Sequence, residues 1–420
     1  MTISDPRAFL ASLFQAAVRA ADPLTGIKAH LPQKPQGRTV VIGAGKGAAQ
    51  MAQALETVWE GPLSGCVVTR YGYGCKTRAI EIIEAAHPVP DAAGLVASQR
   101  LIETVSDLSA DDLVVALICG GGSALLPAPP KGMTLEDEIA VNEALLASGA
   151  PISAMNVVRK HLSTIKGGRL AAATKARVVS LIVSDIPGDN PAHVASGPTI
   201  PDRSTRHQAL EIVAQYGLKL PEAAIAHLNS PAADAPRPDD PVFGRHEHHI
   251  IASAGVSLEA AAAVARSNGI TPAILSDSIE GESRDVALVH AALAREILER
   301  NRPFQKPAVL LSGGETTVTL RAKGGRGGRN GEFALAFALA SDGRALHLLA
   351  ADTDGIDGSE DNAGAYADGS TVRRLRAADL DPRRLLDNND SYSGFAAIGD
   401  LFETGPTGTN VNDFRAILIE

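Results

Sequence analysis

Nine short apolar runs, each followed by glycine or aspartate and then by an alanine-rich stretch of helical character, constrain what this chain can fold into. They span residues 39–42, 65–69, 113–119, 178–184, 250–252, 273–276, 308–311, 346–350 and 414–419. Continuous apolar runs of this length suit strands covered on both faces, and helices between them supply the cover. The pattern predicts an α/β fold. In such sheets ligands sit beyond the carboxyl ends of the strands, so the residues just after each run are the ones to inspect for chemistry.

Composition narrows the functional classes. The 420 residues carry 39 Lys plus Arg against 48 Asp plus Glu, a formal charge of −9. With no block of five or six basic residues, a dedicated nucleic-acid binder is excluded, because its affinity would rest on clustered cations pairing with phosphates. No stretch approaches the ~18 uncharged apolar residues of a membrane span. Cys66, Cys75 and Cys119 lack C-x-x-C spacing, which argues against a disulfide framework or structural zinc. The first 22 residues alternate charge and apolar groups, with Ser4 as N-cap and Pro6 in the first turn, and read as a folded helix rather than a signal peptide. A cytoplasmic protein acting on a small molecule is expected, and a homo-oligomer is compatible with the chain. The Pro- and Asp-rich stretch 230–245 is the best linker, dividing the chain into domains 1–240 and 246–420.

Glycine turns follow two of the runs. After the first come Gly43, Gly45, Lys46 and Gly47, satisfying G-x-G-x-x-A. Such a turn, opening a helix, presents free N–H groups and a partial positive charge to an anion, and Lys46 adds a full charge. A tight packing turn satisfies the same pattern. Arg70, where a dinucleotide site would carry an acidic residue, would suit a 2′-phosphate. Gly121, Gly122 and Ser123 follow the 113–119 run and can converge N–H groups on an oxyanion, with Ser123 as a hydrogen-bond donor. A helix over 155–172 would place Asn156, Arg159, Lys160, Ser163 and Lys166 on one face, a set suited to a carboxylate or phosphate.

Aspartates gather beyond two other runs. Asp185 and Asp189 occupy a proline-rich loop leading to Ser196, Gly197 and Thr199, and Asp352, Asp354 and Asp357 follow the 346–350 run. Carboxylates there could hold Mg²⁺ arriving with phosphates, although aspartates are also ordinary turn formers. Ile356 and Ala363 stand where an EF-hand needs ligands, so that reading fails. Arg326 and Arg329 in a glycine loop could neutralise phosphoryl charge. The tract His246-Glu247-His248-His249 supplies two histidines on one strand face and reads as a linker-proximal edge strand.

The segments VIGAGKGAA, AAHPVPD, LICGGGSALLPAP, NVVRKHLSTIKGGRLA, SDIPGDNPAHVASGPT, LSGGETTVTL, GRGGRNGE, ADTDGIDG and TGPTGTNVND, in this order from Val40 to Asp413, resemble the glycerate 2-kinase family, whose C-terminal part is called the MOFRL domain. The resemblance implies two α/β domains, the first Rossmann-like, with the active site in the cleft between them. It also implies ATP-dependent phosphorylation of D-glycerate at its 2-hydroxyl, with Mg²⁺. Lys46 and Arg329 match the basic residues the family uses in catalysis. One departure stands out: the family reads GGRNQE where this chain has Gly331. Some family members carry a hydroxypyruvate reductase label.

On this reading Ser123, Asn156, Arg159 and Lys160 hold the glycerate carboxylate, Lys46 and Arg329 stabilise the transferring phosphate, and Asp189 is the base. Asp352 and Asp354 would hold Mg²⁺. Gly43, Gly45, Gly47, Gly121, Gly122, Ser196, Gly197, Thr199, Gly313, Gly314 and Asn410 would contact ATP. Two alternatives stay open: an NADPH-dependent hydroxypyruvate reductase, with His87 or His161 as proton donor, and a non-catalytic sugar-acid binding protein.

Overall fold

The computed structural model describes residues 3–320 and 324–420. The chain divides into two compact units, Pro23–Ile251 and the discontinuous pair Met1–Asp22 with Ala252–Glu420.

The Pro23–Ile251 unit is built on six strands: β1 Thr39–Ala44, β2 Ser64–Arg70, β3 Glu81–Ala85, β4 Leu113–Cys119, β5 Arg177–Val183 and β6 Glu247–Ala252. They are ordered β3-β2-β1-β4-β5-β6, and β1 to β5 pair in parallel. This is the strand order of the open doubly wound sheets, in which the crevice between β1 and β4 is the switch point where ligands bind. β1 and β4 are buried along their whole length, as strands covered on both faces must be. Val40, Ile42, Ala44, Val114, Ala116 and Ile118 supply one face to a common core with Leu101, Leu125 and Leu170.

The second unit contains β7 Thr271–Glu282, β8 Ala308–Thr317, β9 Leu346–Asp352, β10 Gly364–Asp368, β11 Leu401–Phe402 and β12 Asp413–Ile419, ordered β11-β10-β9-β12-β8-β7. This sheet is mixed: β7 and β8 are parallel, while β12 runs antiparallel to both β8 and β9. Its other face is covered by the N-terminal helix Pro6–Ala20, whose stripe Phe9, Leu10, Leu13, Phe14, Ala16 and Ala17 is buried. Phe14 meets Phe402 and Phe414 edge to face, with centroids 5.0 and 5.7 Å apart.

Several expectations need correction. The boundary expected at 230–245 lies at the end of β6, because that edge strand still pairs into the first sheet, and the first 22 residues belong to the C-terminal unit. An amphipathic stripe announces a helix without saying which sheet it will cover. The N-cap is Asp5, whose carboxylate accepts from the Ala8 amide at 3.0 Å, not Ser4. The helix expected over 155–172 is two, Ile152–His161 and Arg169–Ala172, because Gly167 and Gly168 adopt left-handed φ of +64° and +81°. Gly313 and Gly314 lie inside β8; Gly314, at φ +120°, lets the β7 backbone at Ile279 approach closely.

Candidate active site

At the switch point of the parallel sheet, the turn after β1 and the turn after β4 hold one another. The Lys46 amide donates to the Gly120 carbonyl at 2.8 Å, and Thr69 Oγ1 donates to the Lys46 carbonyl at 3.0 Å. Gly43 lies in β1 so close to β4 that a Cβ would stand 2.5 Å from the Leu117 carbonyl oxygen. Gly45 is pressed against Cys119, and the Gly47 amide donates to Cys119 Sγ at 3.2 Å. Gly43 and Gly45 therefore have packing reasons to be glycine. The Lys46 side chain lies over Gly121: a Cβ built there would be 3.0 Å from Lys46 Cγ and 3.1 Å from both Lys46 Cε and His87 Nε2. Gly121 adopts φ +78°, and Gly122 packs against Ala195. Lys46 makes no ion pair among the described residues.

A polar chain starts beside this turn. Ser123 Oγ lies 2.8 Å from Ser196 Oγ, which donates to Asn156 Oδ1 at 3.0 Å. Arg159 donates to the same Asn156 oxygen at 3.4 Å and to Asn142 Oδ1 at 2.8 Å. Ser196 is held by the tandem left-handed residues Ala195, Ser196 and Gly197, with φ of +52°, +59° and +61°. Two adjacent non-glycine residues in this region store strain of order 1–3 kcal/mol each. Backbone bonds lock the strained turn, since Gly167 and Gly168 donate to the carbonyls of Ser196 and Gly197 at 3.1 and 2.7 Å.

The basic residues of the helix Ile152–His161 separate into two kinds. Lys160 is fully buried on Asp202, and the nearby Lys166 is buried on Glu138 at 2.8 Å. Arg159 hydrogen-bonds only amide oxygens among the described residues; burial lowers its proton affinity, against the weaker pull of Glu138, whose carboxylate is held by Lys166. A half-buried guanidinium with no carboxylate on its fork is what an anion site requires. Thr199 is buried and accepts from Ser180 Oγ at 2.8 Å. Asp189, half-buried at φ +50°, lies in the loop after β5, whereas the Asp185 carboxylate rests against Gly120. His161 is committed to the Ala233 carbonyl at 2.8 Å and to Ser204 Oγ at 3.3 Å.

The C-terminal unit carries its own charged centre. Arg329, first residue of the helix Arg329–Ala340, donates through Nε to Asp413 Oδ1 and through Nη2 to Asp352 Oδ2, both at 2.6 Å, and through Nη1 to Glu315 at 3.1 Å. Burial opposes its charge, but Asp413, Asp352 and Glu315 hold its proton affinity above the ordinary value. Asn330 donates to Asp413 Oδ1 at 2.9 Å, and the fully buried Arg415 donates to Asp413 Oδ2. Burial pushes Asp352 up to about 8, against the pull of Arg329 and with the help of Asp354 and Asp413. Asp357 caps the helix start, accepting from the Asn330 and Gly331 amides at 2.9 and 2.8 Å; burial pushes it up to about 6. Arg326 lies on Glu360 and over the Tyr392 ring at 4.0 Å, and the exposed Asn410 uses its Oδ1 to cap the Asn412 amide at 3.0 Å. Asp354 commits Oδ1 to the Ile356 amide at 2.8 Å.

Glu315, Asn142 and Asp202 were not singled out by sequence reasoning, and Asp357, read there with the Mg²⁺ carboxylates, caps a helix start instead. Arg415 carried a usable signal, a lone charge inside the apolar run 414–419, which demands a buried partner. The tract at 246–249 forms an edge strand as expected, with Glu247 on Arg177 at 3.0 Å, and no cluster of three or more His, Cys, Asp or Glu suited to a metal occurs among the described residues. Likewise no helix there is long and apolar enough to cross a membrane.

Comparison with known proteins adds an independent observation. A "Domain of unknown function (DUF4147)" profile matches residues 9–229, and the MOFRL family matches residues 308–413. The glycerate 2-kinase of Pyrococcus horikoshii is 39% identical over 438 residues, covering 100% of this chain and 98% of that one. The chain belongs to the glycerate 2-kinase family. The crystal structure of glycerate kinase from Thermotoga maritima superposes with a TM-score of 0.90 at 38% identity, covering 99% of each chain. A family relative from Agrobacterium vitis, 51% identical over 98% of this chain and 94% of its own, carries a provisional hydroxypyruvate reductase name.

Proposed function

We propose that this chain transfers the γ-phosphoryl group of ATP to the 2-hydroxyl of D-glycerate. The observation that carries the reading is the arrangement in the Pro23–Ile251 unit. A cation without an ion pair, Lys46, lies across the glycine turn at the switch point. A second such cation, Arg159, is joined to the residue after that turn through Asn156, Ser196 and Ser123. One cation suits a carboxylate and the other a phosphoryl group, as a small hydroxy acid undergoing phosphorylation needs. The names of the Pyrococcus and Thermotoga relatives, glycerate 2-kinase and D-glycerate 2-kinase, supply the substrate and the hydroxyl.

In this account Arg159 takes the glycerate carboxylate through its planar fork, and Asn156 and Ser123 orient the hydroxyl end. The backbone N–H groups of Gly121 and Gly122, with the Lys46 ammonium, neutralise charge on the phosphoryl oxygens as the bond to the leaving ADP lengthens. Lys160 is read as a structural partner of Asp202 that fixes the helix carrying Arg159. Arg329 organises the carboxylates of its own unit rather than offering a free fork.

The donor chemistry there fits Mg²⁺, which takes one or two carboxylate oxygens and completes its shell with water and phosphate. Asp354 would hold it, with Asp352 behind, because Asp352 is engaged by Arg329. When bound, the ion would supply positive charge to the oxygens it holds.

A reductase reading draws on the provisional name of the Agrobacterium relative and on Arg70 at the end of β2. Incubation with D-glycerate, ATP and Mg²⁺, beside hydroxypyruvate with NADPH, separates the two. ADP formation dependent on glycerate supports the kinase, and cofactor oxidation without it supports the reductase.

A further inference from the structure

Four strand ends converge at the switch point, and one of them carries an imidazole that the kinase reading leaves without a task. His87 lies two residues beyond β3, Lys46 two beyond β1, Gly121 two beyond β4, and Arg70 closes β2. Arg70 and Ala85 are register partners, and the Tyr71 amide donates to the Ala85 carbonyl at 3.1 Å, which ties the start of the His87 loop to the end of β2. The loop is also fixed from the other side: Asp91 accepts from the Ala86 amide at 3.3 Å and from Tyr71 Oη at 2.8 Å. The half-buried ring is directed inward, and its Nε2 would stand 3.1 Å from a Cβ on Gly121, as would Lys46 Cε. The absence of a side chain at 121 is what leaves a space bordered by the imidazole, the ammonium stem and the glycine-turn backbone.

We infer that His87 is a further catalytic residue, whose Nε2 accepts the proton of the substrate hydroxyl as that oxygen attacks the γ-phosphorus. This rests on the kinase reading above. In the step, the hydroxyl oxygen forms a bond to phosphorus, the bond from phosphorus to the ADP oxygen breaks, and the proton passes to Nε2 and then to solvent. Lys46 and the glycine amides are donors only, so they suit the phosphoryl oxygens, whereas a neutral imidazole is an acceptor and suits the hydroxyl.

The charged groups facing His87 are Lys46 from the β1 turn and Arg70 from β2, with Asp91 in its own loop bound to the Ala86 amide and to Tyr71. Burial first, then Lys46 and Arg70, lower its proton affinity and keep the ring neutral near pH 7. An anionic substrate and phosphate entering this corner offset both cations, so the ring becomes more basic when the reaction delivers a proton.

The test is the pH dependence of glycerate-dependent ADP formation by the full chain. Wild type is expected to lose activity on the acid side, and His87→Gln to fall about 10²-fold or more in kcat/KM with that acid limb abolished, in line with general-base contributions of roughly 10²–10⁴. Asp189→Asn and Asp185→Asn are expected to keep the limb. Unchanged melting temperature and ADP affinity in His87→Gln would separate lost chemistry from lost folding; if that variant proves unfolded, His87→Asn and the solvent isotope effect at the acid limb take its place. An acid limb that persists in a folded His87 variant, or a loss under threefold, overturns the inference while leaving the kinase reading intact. Absence of ADP formation in wild type would instead remove the kinase reading and the role of His87 with it.

Discussion

Neighbouring residues on one helix give the sharpest prediction. Lys160 is fully buried and Arg159 half-buried, but Lys160 is paired with Asp202 while Arg159 hydrogen-bonds only the amide oxygens of Asn142 and Asn156. Replacing Arg159 by Met removes a charge whose desolvation is offset only in part, by the nearby Glu138, at the cost of neutral hydrogen bonds worth about 0.5–1.5 kcal/mol each. The two contributions oppose, so stability should change by less than about 1 kcal/mol. Lys160→Met leaves the Asp202 carboxylate unpaired and should cost about 3–5 kcal/mol. For the substrate the order reverses. A charge-assisted bond to a carboxylate contributes about 1.5–3 kcal/mol, so Arg159→Met should raise the glycerate KM roughly 10- to 150-fold at 1.4 kcal/mol per decade. The turnover number should hold, because the carboxylate is bound equally before and during transfer. Denaturant unfolding with initial rates against glycerate concentration reads both. An Arg159 variant as destabilised as Lys160→Met, or one with unaltered KM, would refute the argument.

Three further outcomes follow from the C-terminal unit. His290 is buried, its Nδ1 donating to the Val286 carbonyl at 2.8 Å and its Nε2 lying 2.9 Å from Ser312 Oγ, and burial pushes it down to about 4. Its unfolded form titrates near 6.5, so between these values the unfolded chain binds the extra proton and stability falls as pH drops; the loss should reach about 3 kcal/mol at pH 4 and be smaller in His290→Gln, as pH-dependent melting would show. Gly331 is closed to a side chain, since a Cβ would stand 2.6 Å from Ser391 Oγ. Gly331→Ala should cost about 1–3 kcal/mol and be largely rescued by Ser391→Gly in a double-mutant cycle. Asp354→Asn should raise the Mg²⁺ concentration needed for half-maximal activity about tenfold or more with little effect on melting temperature, and activity should vanish with EDTA and return with Mg²⁺.

Much of the architecture was readable because strands buried on both faces must be continuously apolar. All nine runs became strands. The strands β3, β10 and β11 escaped because EIIEA and GAYAD are short and half polar and Leu401–Phe402 is only a pair. The glycine turn at 43–47 and the position of Lys46 were legible from a strand-turn-helix pattern. Partnership was not. Nothing in NVVRKHLSTIK distinguishes Arg159 from Lys160 or Lys166, because Asp202 and Glu138 reach those lysines only through the tertiary fold. The same holds for Arg329, whose three carboxylates come from β8, β9 and β12, separated along the chain and adjacent only across the sheet.

The measurement that bears most directly on the central claim is identification of the product by ³¹P and ¹H NMR after incubating the purified chain with D-glycerate, ATP and Mg²⁺. Stoichiometric ADP and 2-phosphoglycerate, with Lys46→Ala slower by about 10²–10³, is the result predicted for a phosphoryl site built around the switch point. Formation of 3-phosphoglycerate, or a Lys46→Ala variant within a few-fold of wild type, would contradict it.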